Sequence, residues 1–157
     1  MSWKQTKPDA MQAVKLRTYR TGDYPGITAL WTATDLGRPE RGDDEATIER
    51  TLAMGGEMLI MYDADNNDKI IGTSWLTFDG RRLLLHHFGI LPEYQGRGLS
   101  HLLLKETLRI VREKGYQVKL EVHSANKIAV KLYREAGFEY LGDYDVYIIR
   151  DIQSIEI

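Results

Sequence analysis

The sequence predicts a single domain of α/β (α+β) class, in which a mixed, mostly antiparallel twisted sheet of about seven strands is packed with about four helices. Three observations carry that reading. Apolar runs of strand character occur as neighbours at the front and the back of the chain, which favours antiparallel pairing. Across the middle, a strand, a long amphipathic helix and another strand follow one another, which demands a parallel pair joined by a right-handed crossover. A length of 157 residues is enough for one core and short for two.

Residues 1–12 are polar, mixed in charge and interrupted by Pro8, so they are expected to form a disordered tail, with the domain spanning 13–152 and a short tail at 153–157. VKLRTYR, from Val14, alternates as a strand does, and a helix follows with Asp23 as its cap and Ile27, Leu30 and Trp31 on its apolar face. LGRPERGDDEA is a loop by composition, and it leads into a short helix over about 44–54 with Ile48 and Leu52 on one side. EMLIMYDA and KIIGTSWLTF flank the turn-rich DADNND and pair as a hairpin, and RRLLLHHFGIL continues the sheet after the Asp79-Gly80 turn. Leu99, Leu102, Leu103, Leu104, Leu108, Ile110 and Val111 fit an amphipathic helix over about 98–114 that Gly115 closes. YQVKLEV is the next strand, NKIAVKLYREAG a short helix ended by Gly137, and FEYLGDYDVYIIR two final strands about Gly142-Asp143.

Composition excludes several classes of function. Apolar residues make up 43% and charged residues 28% of the chain, near the globular average, which argues against disorder. A formal net charge of −2 offers no general attraction to nucleic acid or to an anionic membrane, so any phosphate must be held by local groups. The absence of cysteine removes disulfides, thiolate metal sites and an acyl-cysteine intermediate. No apolar run reaches about 18 residues, and the N-terminus lacks a signal-like segment. A cytoplasmic protein, monomeric or homodimeric, is expected.

The stretch GILPEYQGRGLS, residues 89–100, runs from a strand end through glycines into a helix. The first amides of a helix have no intrahelical partner and carry the positive end of its dipole, so glycines there admit a large anion. Gly96 and Gly98 supply that access and Arg97 a charge, which suits a phosphate or pyrophosphate. A plain tight turn uses the same glycines for their dihedrals alone. Neither a P-loop nor a dinucleotide fingerprint fits, because no Lys-Ser or Lys-Thr and no third glycine follow.

The segment QGRGLS, Gln95 to Ser100, resembles the acyl-CoA signature of the GNAT N-acetyltransferase superfamily: Gln or Arg, two residues, Gly, one residue, then Gly or Ala. Ser100 departs from the last position. NKIAVKLYREAGFEYLG resembles the family's following segment, and LWTATDLGRPERGDDEATIER is similar to a bacterial subgroup of uncharacterised acetyltransferases. The resemblance covers about 14–151 in element order. It implies a central parallel pair that splays apart to take the pantetheine arm of acetyl-CoA, the cosubstrate, with no metal. It also implies backbone contacts from Ile90 and Leu91, with Gln95, Gly96, Arg97, Gly98, Leu99 and Ser100 around the pyrophosphate. The acceptor is then a primary amine of a small molecule or protein, attacked directly in a ternary complex. A non-catalytic acyl-CoA-binding module of the same fold is the alternative.

Asn126 and Tyr133 are seven residues apart, nearly two helical turns, and so share a face. A phenol, with a reference pKa of roughly 10, remains protonated near neutrality and is able to protonate a departing thiolate of pKa near 8.5. Tyr133 is the expected general acid, with a core-edge tyrosine as the plain alternative. Asn126 is expected to contact CoA, to cap its helix, or both. The attacking amine must lose a proton, and His86, Glu121 or water is the candidate base. Strict strand alternation lets only one of His86 and His87 face a given cleft. His86 shares its side with Phe88 and Ile90, and its spacing from the glycine turn resembles that of a catalytic histidine in some relatives. A backbone N–H near Gly89 or Ile90 is expected to stabilise the oxyanion. The acceptor mouth is expected at Trp31, Asp35, Arg38 and Glu40, where acid and aromatic groups suit a cation.

Overall fold

The computed structural model describes residues 13–157, and the tail expected at 1–12 lies outside the described residues. The chain divides into two compact units, one ending at Glu121 and the other spanning Val122–Ile157. The first unit holds a five-stranded sheet in the order β1-β2-β3-β4-β5, formed by Val14–Thr18, Glu57–Asp63, Lys69–Phe78, Leu83–Ile90 and Val118–Leu120. The first three pairings are antiparallel and β4 with β5 is parallel, so the sheet is mixed as the strand-helix-strand succession predicts. Helices α1 (Tyr24–Thr34), α2 (Glu45–Ala53) and α3 (Leu99–Lys114) complete this unit.

Local chemistry accounts for most boundaries. Asp44 caps α2, its carboxylate accepting from the Thr47 N–H at 2.8 Å. Gly115, at φ 80°, ends α3 with its N–H on the Val111 carbonyl, a left-handed closure that only glycine adopts without strain. In the β2–β3 hairpin Asn67 and Asp68 sit at φ 53° and 54°, the positive dihedrals a right-twisted hairpin requires. Asp79 accepts from the Arg81 and Arg82 N–H groups at 2.7 Å, which folds the chain from β3 into β4. Asp23 differs from expectation. Its carboxylate makes no cap bond to α1; it is paired with both terminal nitrogens of Arg17 at 2.7 and 2.9 Å, because a bidentate guanidinium outcompetes a single amide.

The sheet is covered on both faces. Trp75 of β3 stacks on Trp31 of α1 with centroids 5.7 Å apart and donates its indole N–H to Thr51 of α2 at 2.9 Å. The adjacent Ser74 hydroxyl meets Thr107 of α3 at 2.7 Å. Neighbouring strand residues point to opposite faces, so α1 and α2 lie on one side and α3 on the other. Among the described residues no helix is long and apolar enough to cross a membrane.

The second unit contains α4, Lys127–Glu135, and a 3-10 turn at Ile152–Ser154. Asn126 caps α4 by accepting from the Ala129 N–H at 3.2 Å, and the chain leaves through Gly137 at φ 103°. The two final strands are not formed, which reduces the expected seven strands to five. Gly142 and Asp143 do take the hairpin dihedrals, φ 53° and 54°. A strand exists only through its ladder, however, and within this unit by itself the flanking residues have no partner.

Candidate active site

The parallel ladder between β4 and β5 covers only Leu83↔Val118 to Leu85↔Leu120, while β4 runs on from His86 to Ile90. The last five residues of β4 thus lie beyond the β5 ladder, and they lead through Leu91 toward the glycine-rich turn. Pro92–Tyr94 form one 3-10 turn, and Tyr94 is fixed to the β2–β3 hairpin by donating to Asp63 Oδ2 at 2.7 Å. Gln95 donates from Nε2 to the Ile90 carbonyl at 2.9 Å, so this side chain ties the turn to the strand end. The Leu91 N–H is bonded to Ile71 at 2.8 Å and belongs to the sheet. Arg97 donates to the Glu93 carbonyl at 2.9 Å and lies over the Tyr94 ring.

Gly96 and Gly98 both adopt φ 76°, and apart from their chain neighbours no atom of the described residues lies within 4 Å of where a Cβ on either would sit. The dihedral therefore demands glycine, while the space beside both residues is open. Gly98 is the N-cap of α3, no side chain caps that end, and no acidic residue occupies its first turn. The amides of Leu99 and Ser100 open a helix whose dipole favours an anion.

The histidine pair departs from simple alternation. Pairing moves from Trp75↔His86 to Thr73↔Gly89, so His87 and Phe88 together oppose one β3 residue. This is a β-bulge, and His87 carries its strain at φ 46°. As a result both imidazoles approach Trp75, with centroids at 6.1 Å for His86 and 5.3 Å for His87. The expectation that only one of them faces this side is corrected, because a bulge shifts the pleat by one residue. His86 Nε2 shares a 2.8 Å hydrogen bond with Thr77 Oγ1. Burial holds the His86 imidazole below its ordinary pKa and the neighbouring His87 adds to this, while Glu121 and Asp43 pull in the opposite direction. The bulge is pinned by a chain in which Trp31 Nε1 donates to Thr73 Oγ1 at 2.9 Å and that hydroxyl donates to the His87 carbonyl at 2.8 Å.

Trp31, expected at the acceptor mouth, is instead a core residue at 2% exposure; stacking on Trp75 outweighs presenting an indole to solvent. Asp35 and Arg38 are exposed and paired with each other at 3.1 Å, and Glu40 is exposed on a 3-10 turn. An open cleft of about 520 Å³ is lined by Gly26, Ala29 and Ala33 of α1 with Ile70 and Leu91. Its Arg17 and Asp23 are paired with each other, and Asp68, Lys69 and Glu93 also line it. His87 was weighed in the sequence reading and set aside in favour of His86, while Asp43 was not singled out. The doubled histidine was the available signal for His87, and no local pattern marks Asp43.

In the second unit Tyr133 is 9% exposed and its ring meets Phe138 edge-on at 5.6 Å. Burial pushes its hydroxyl up to about 12, so the phenol keeps its proton across the neutral range. Asn126 sits at the N-cap of the same helix. Among the described residues no group of three or more His, Cys, Asp or Glu is arranged to hold a metal ion.

Comparison with known proteins bears on the fold and the family. An acetyltransferase from Streptococcus agalactiae superposes with a TM-score of 0.74 at 20% identity, over 89% of this chain and 93% of its own. The ribosomal-protein-S18-alanine N-acetyltransferase of Escherichia coli gives a TM-score of 0.67 at 20% identity, over 80% and 77%. A GNAT family acetyltransferase from Elizabethkingia anophelis, solved with acetyl-CoA bound, gives 0.61 at 19% identity, over 81% and 76%. At these identities the likeness is one of fold. The model of the acetyltransferase (GNAT) family matches residues 24–138, well over half of the chain, and the protein belongs to that family of acetyltransferases.

Proposed function

We propose that the protein transfers an acetyl group from acetyl-CoA to a primary amine, by direct attack within a ternary complex. The observation that carries this reading is the α3 N-terminus, left without a side-chain cap and flanked by two left-handed glycines with open space beside them. Such an end is suited to a diphosphate. The adjoining stretch of β4 that runs beyond its β5 ladder supports a pantetheine arm laid along His86 to Ile90. Bound acetyl-CoA supplies an activated acyl group and a thiol leaving group. Gly96, Arg97, Gly98, Leu99 and Ser100 bind the diphosphate, and Gln95 acts by holding the turn to Ile90. Asn126 caps α4 and contacts the carrier.

His86 takes a proton from the acceptor ammonium, directly or through a water, the neutral amine so formed attacks the thioester carbonyl, and the second proton the nitrogen sheds as the amide forms replaces the one Tyr133 gives up. The depressed basicity of His86 keeps it unprotonated, and therefore able to accept, at neutral pH. A backbone N–H at Gly89 or Ile90 stabilises the oxyanion. Tyr133, held protonated by burial, gives its proton to the departing thiolate. The acceptor is a small-molecule or protein amine entering past Asp35, Arg38 and Glu40.

Two measurements test this. Acetyl-CoA at about a hundred times its Kd should stabilise the fold by roughly 2.7 kcal/mol, which at 2–4 °C per kcal/mol is a Tm rise of about 5–11 °C. No rise at saturating ligand removes the carrier site. Tyr133→Phe should keep that rise while lowering kcat by about 10²–10⁴; unchanged turnover removes the acid role.

A further inference from the structure

The loop between α1 and α2 meets the β4 bulge at three places. A Cβ on Gly37 would sit 2.5 Å from His87 Nε2 and 2.9 Å from Asp43 Oδ2, so the loop backbone lies directly against the imidazole and the carboxylate. A Cβ on Gly89 would sit 2.5 Å from Leu36 Cδ1. Asp43 is the third point. One carboxylate oxygen accepts from the Arg38 N–H at 2.9 Å, closing the loop on itself. The other lies 3.2 Å from His87 Nε2, with both side chains about seven-eighths buried. That approach is off the line of a hydrogen bond, and His87 Nε2 is a buried nitrogen with no hydrogen-bond partner. The contact is therefore a close packing of the carboxylate against the imidazole edge, closed on the other side by the Trp31 ring, whose centroid is 4.5 Å from that of His87.

We propose that the Asp43–His87 contact is a latch fastening the loop 35–44 to the bulge of β4, so that the acceptor-side wall and the thioester-bearing strand keep one register. Asp43 and His87 are positioning residues in this scheme. The acceptor half of the inference rests on the transferase function proposed above; the latch itself rests on geometry alone. The groups facing the pair are His86, whose ring is 6.4 Å from that of His87, and Tyr24, whose hydroxyl donates to the Asp43 carbonyl at 3.2 Å.

The test is hydrogen–deuterium exchange of the full chain over residues 36–43. Asp43→Asn keeps an oxygen for the Arg38 N–H and removes the charge. His87→Asn removes the imidazole and keeps a residue type that tolerates left-handed backbone. Each should speed loop exchange at least tenfold, the double variant no more than either single, and Arg41→Gln should match the wild type. Either folded single variant exchanging as slowly as the wild type overturns the latch. Steady-state kinetics with acetyl-CoA and spermidine, kanamycin or a peptide with a free N-terminal alanine supply the second readout. Acceptor KM should rise about tenfold in both single variants, with kcat within threefold and the KM for acetyl-CoA unchanged. Parallel rises in both KM values would mark a merely structural pair and overturn the positioning role. No turnover of any amine by the wild type would remove the transferase function and the acceptor half with it, leaving exchange to decide the latch.

Discussion

Gly98 and Gly115 bracket α3 at nearly the same dihedrals, φ 76° and ψ 8° at the start, φ 80° and ψ 19° at the end. Apart from its chain neighbours, neither has an atom of the described residues within 4 Å of a built Cβ. Alanine at either position therefore meets no clash and pays only for left-handed backbone, roughly 1–2 kcal/mol. At 2–4 °C per kcal/mol this is a Tm fall of about 2–8 °C, equal for the two variants. They differ in what the new methyl faces. At Gly98 it enters the space beside the uncapped amides, where a diphosphate has to approach the backbone. At Gly115 it faces solvent beyond the C-terminal carbonyls, which repel an anion. Titration calorimetry with acetyl-CoA should show the Kd of Gly98→Ala raised at least tenfold, a loss of about 1.4 kcal/mol, and that of Gly115→Ala within twofold of the wild type. Equal Kd values for the two variants, both folded, would refute the assignment of this helix end to the carrier.

Two further outcomes follow from buried polar groups. Thr107→Val removes the partner of the Ser74 hydroxyl, which is 1% exposed, and should destabilise the protein by about 1–3 kcal/mol. Ser74→Ala in the same background should recover part of the loss in thermal unfolding, since the one orphaned hydroxyl is then gone. His86 has a folded pKa depressed mainly by burial, so between that value and its unfolded value of about 6.5 the unfolded chain binds more protons. The stability it contributes is complete above about pH 6.5 and is lost as pH falls through the folded pKa, with a slope of at most about 1.4 kcal/mol per pH unit. Chemical denaturation across pH 4–8 should show this limb and His86→Gln should lack it; an identical profile in the variant sinks the linkage.

Legibility in the sequence followed the range of the interaction responsible. The Asp44 cap, the Gly115 closure and the Asn67-Asp68 turn each depend on residues within a few positions, so α2, the end of α3 and the β2–β3 hairpin were readable as text. The glycine turn was readable for the same reason, since a left-handed residue opening a helix leaves its mark in residue type. Asp23 was misread because its stronger partner, Arg17, sits on another element. Trp31 was placed at a mouth because an aromatic beside acidic residues suits a cation, yet it stacks on Trp75, 44 positions further along by their numbers in the chain.

The amino-acid order by itself determined the helices and strands from β1 to α4, though not the two strands expected after Gly137, as well as where glycine has to stand and that one strand-helix-strand unit would be parallel. These follow from periodicity and from dihedral preferences, both properties of neighbouring residues. Only tertiary structure decided that β4 bulges at His87, that both imidazoles reach the Trp75 face, and that Asp43 closes on His87 from a distant loop. A bulge is a mismatch between two strands and a side-chain contact of this kind a meeting of two elements. Neither exists until the sheet has been assembled with its helices against it.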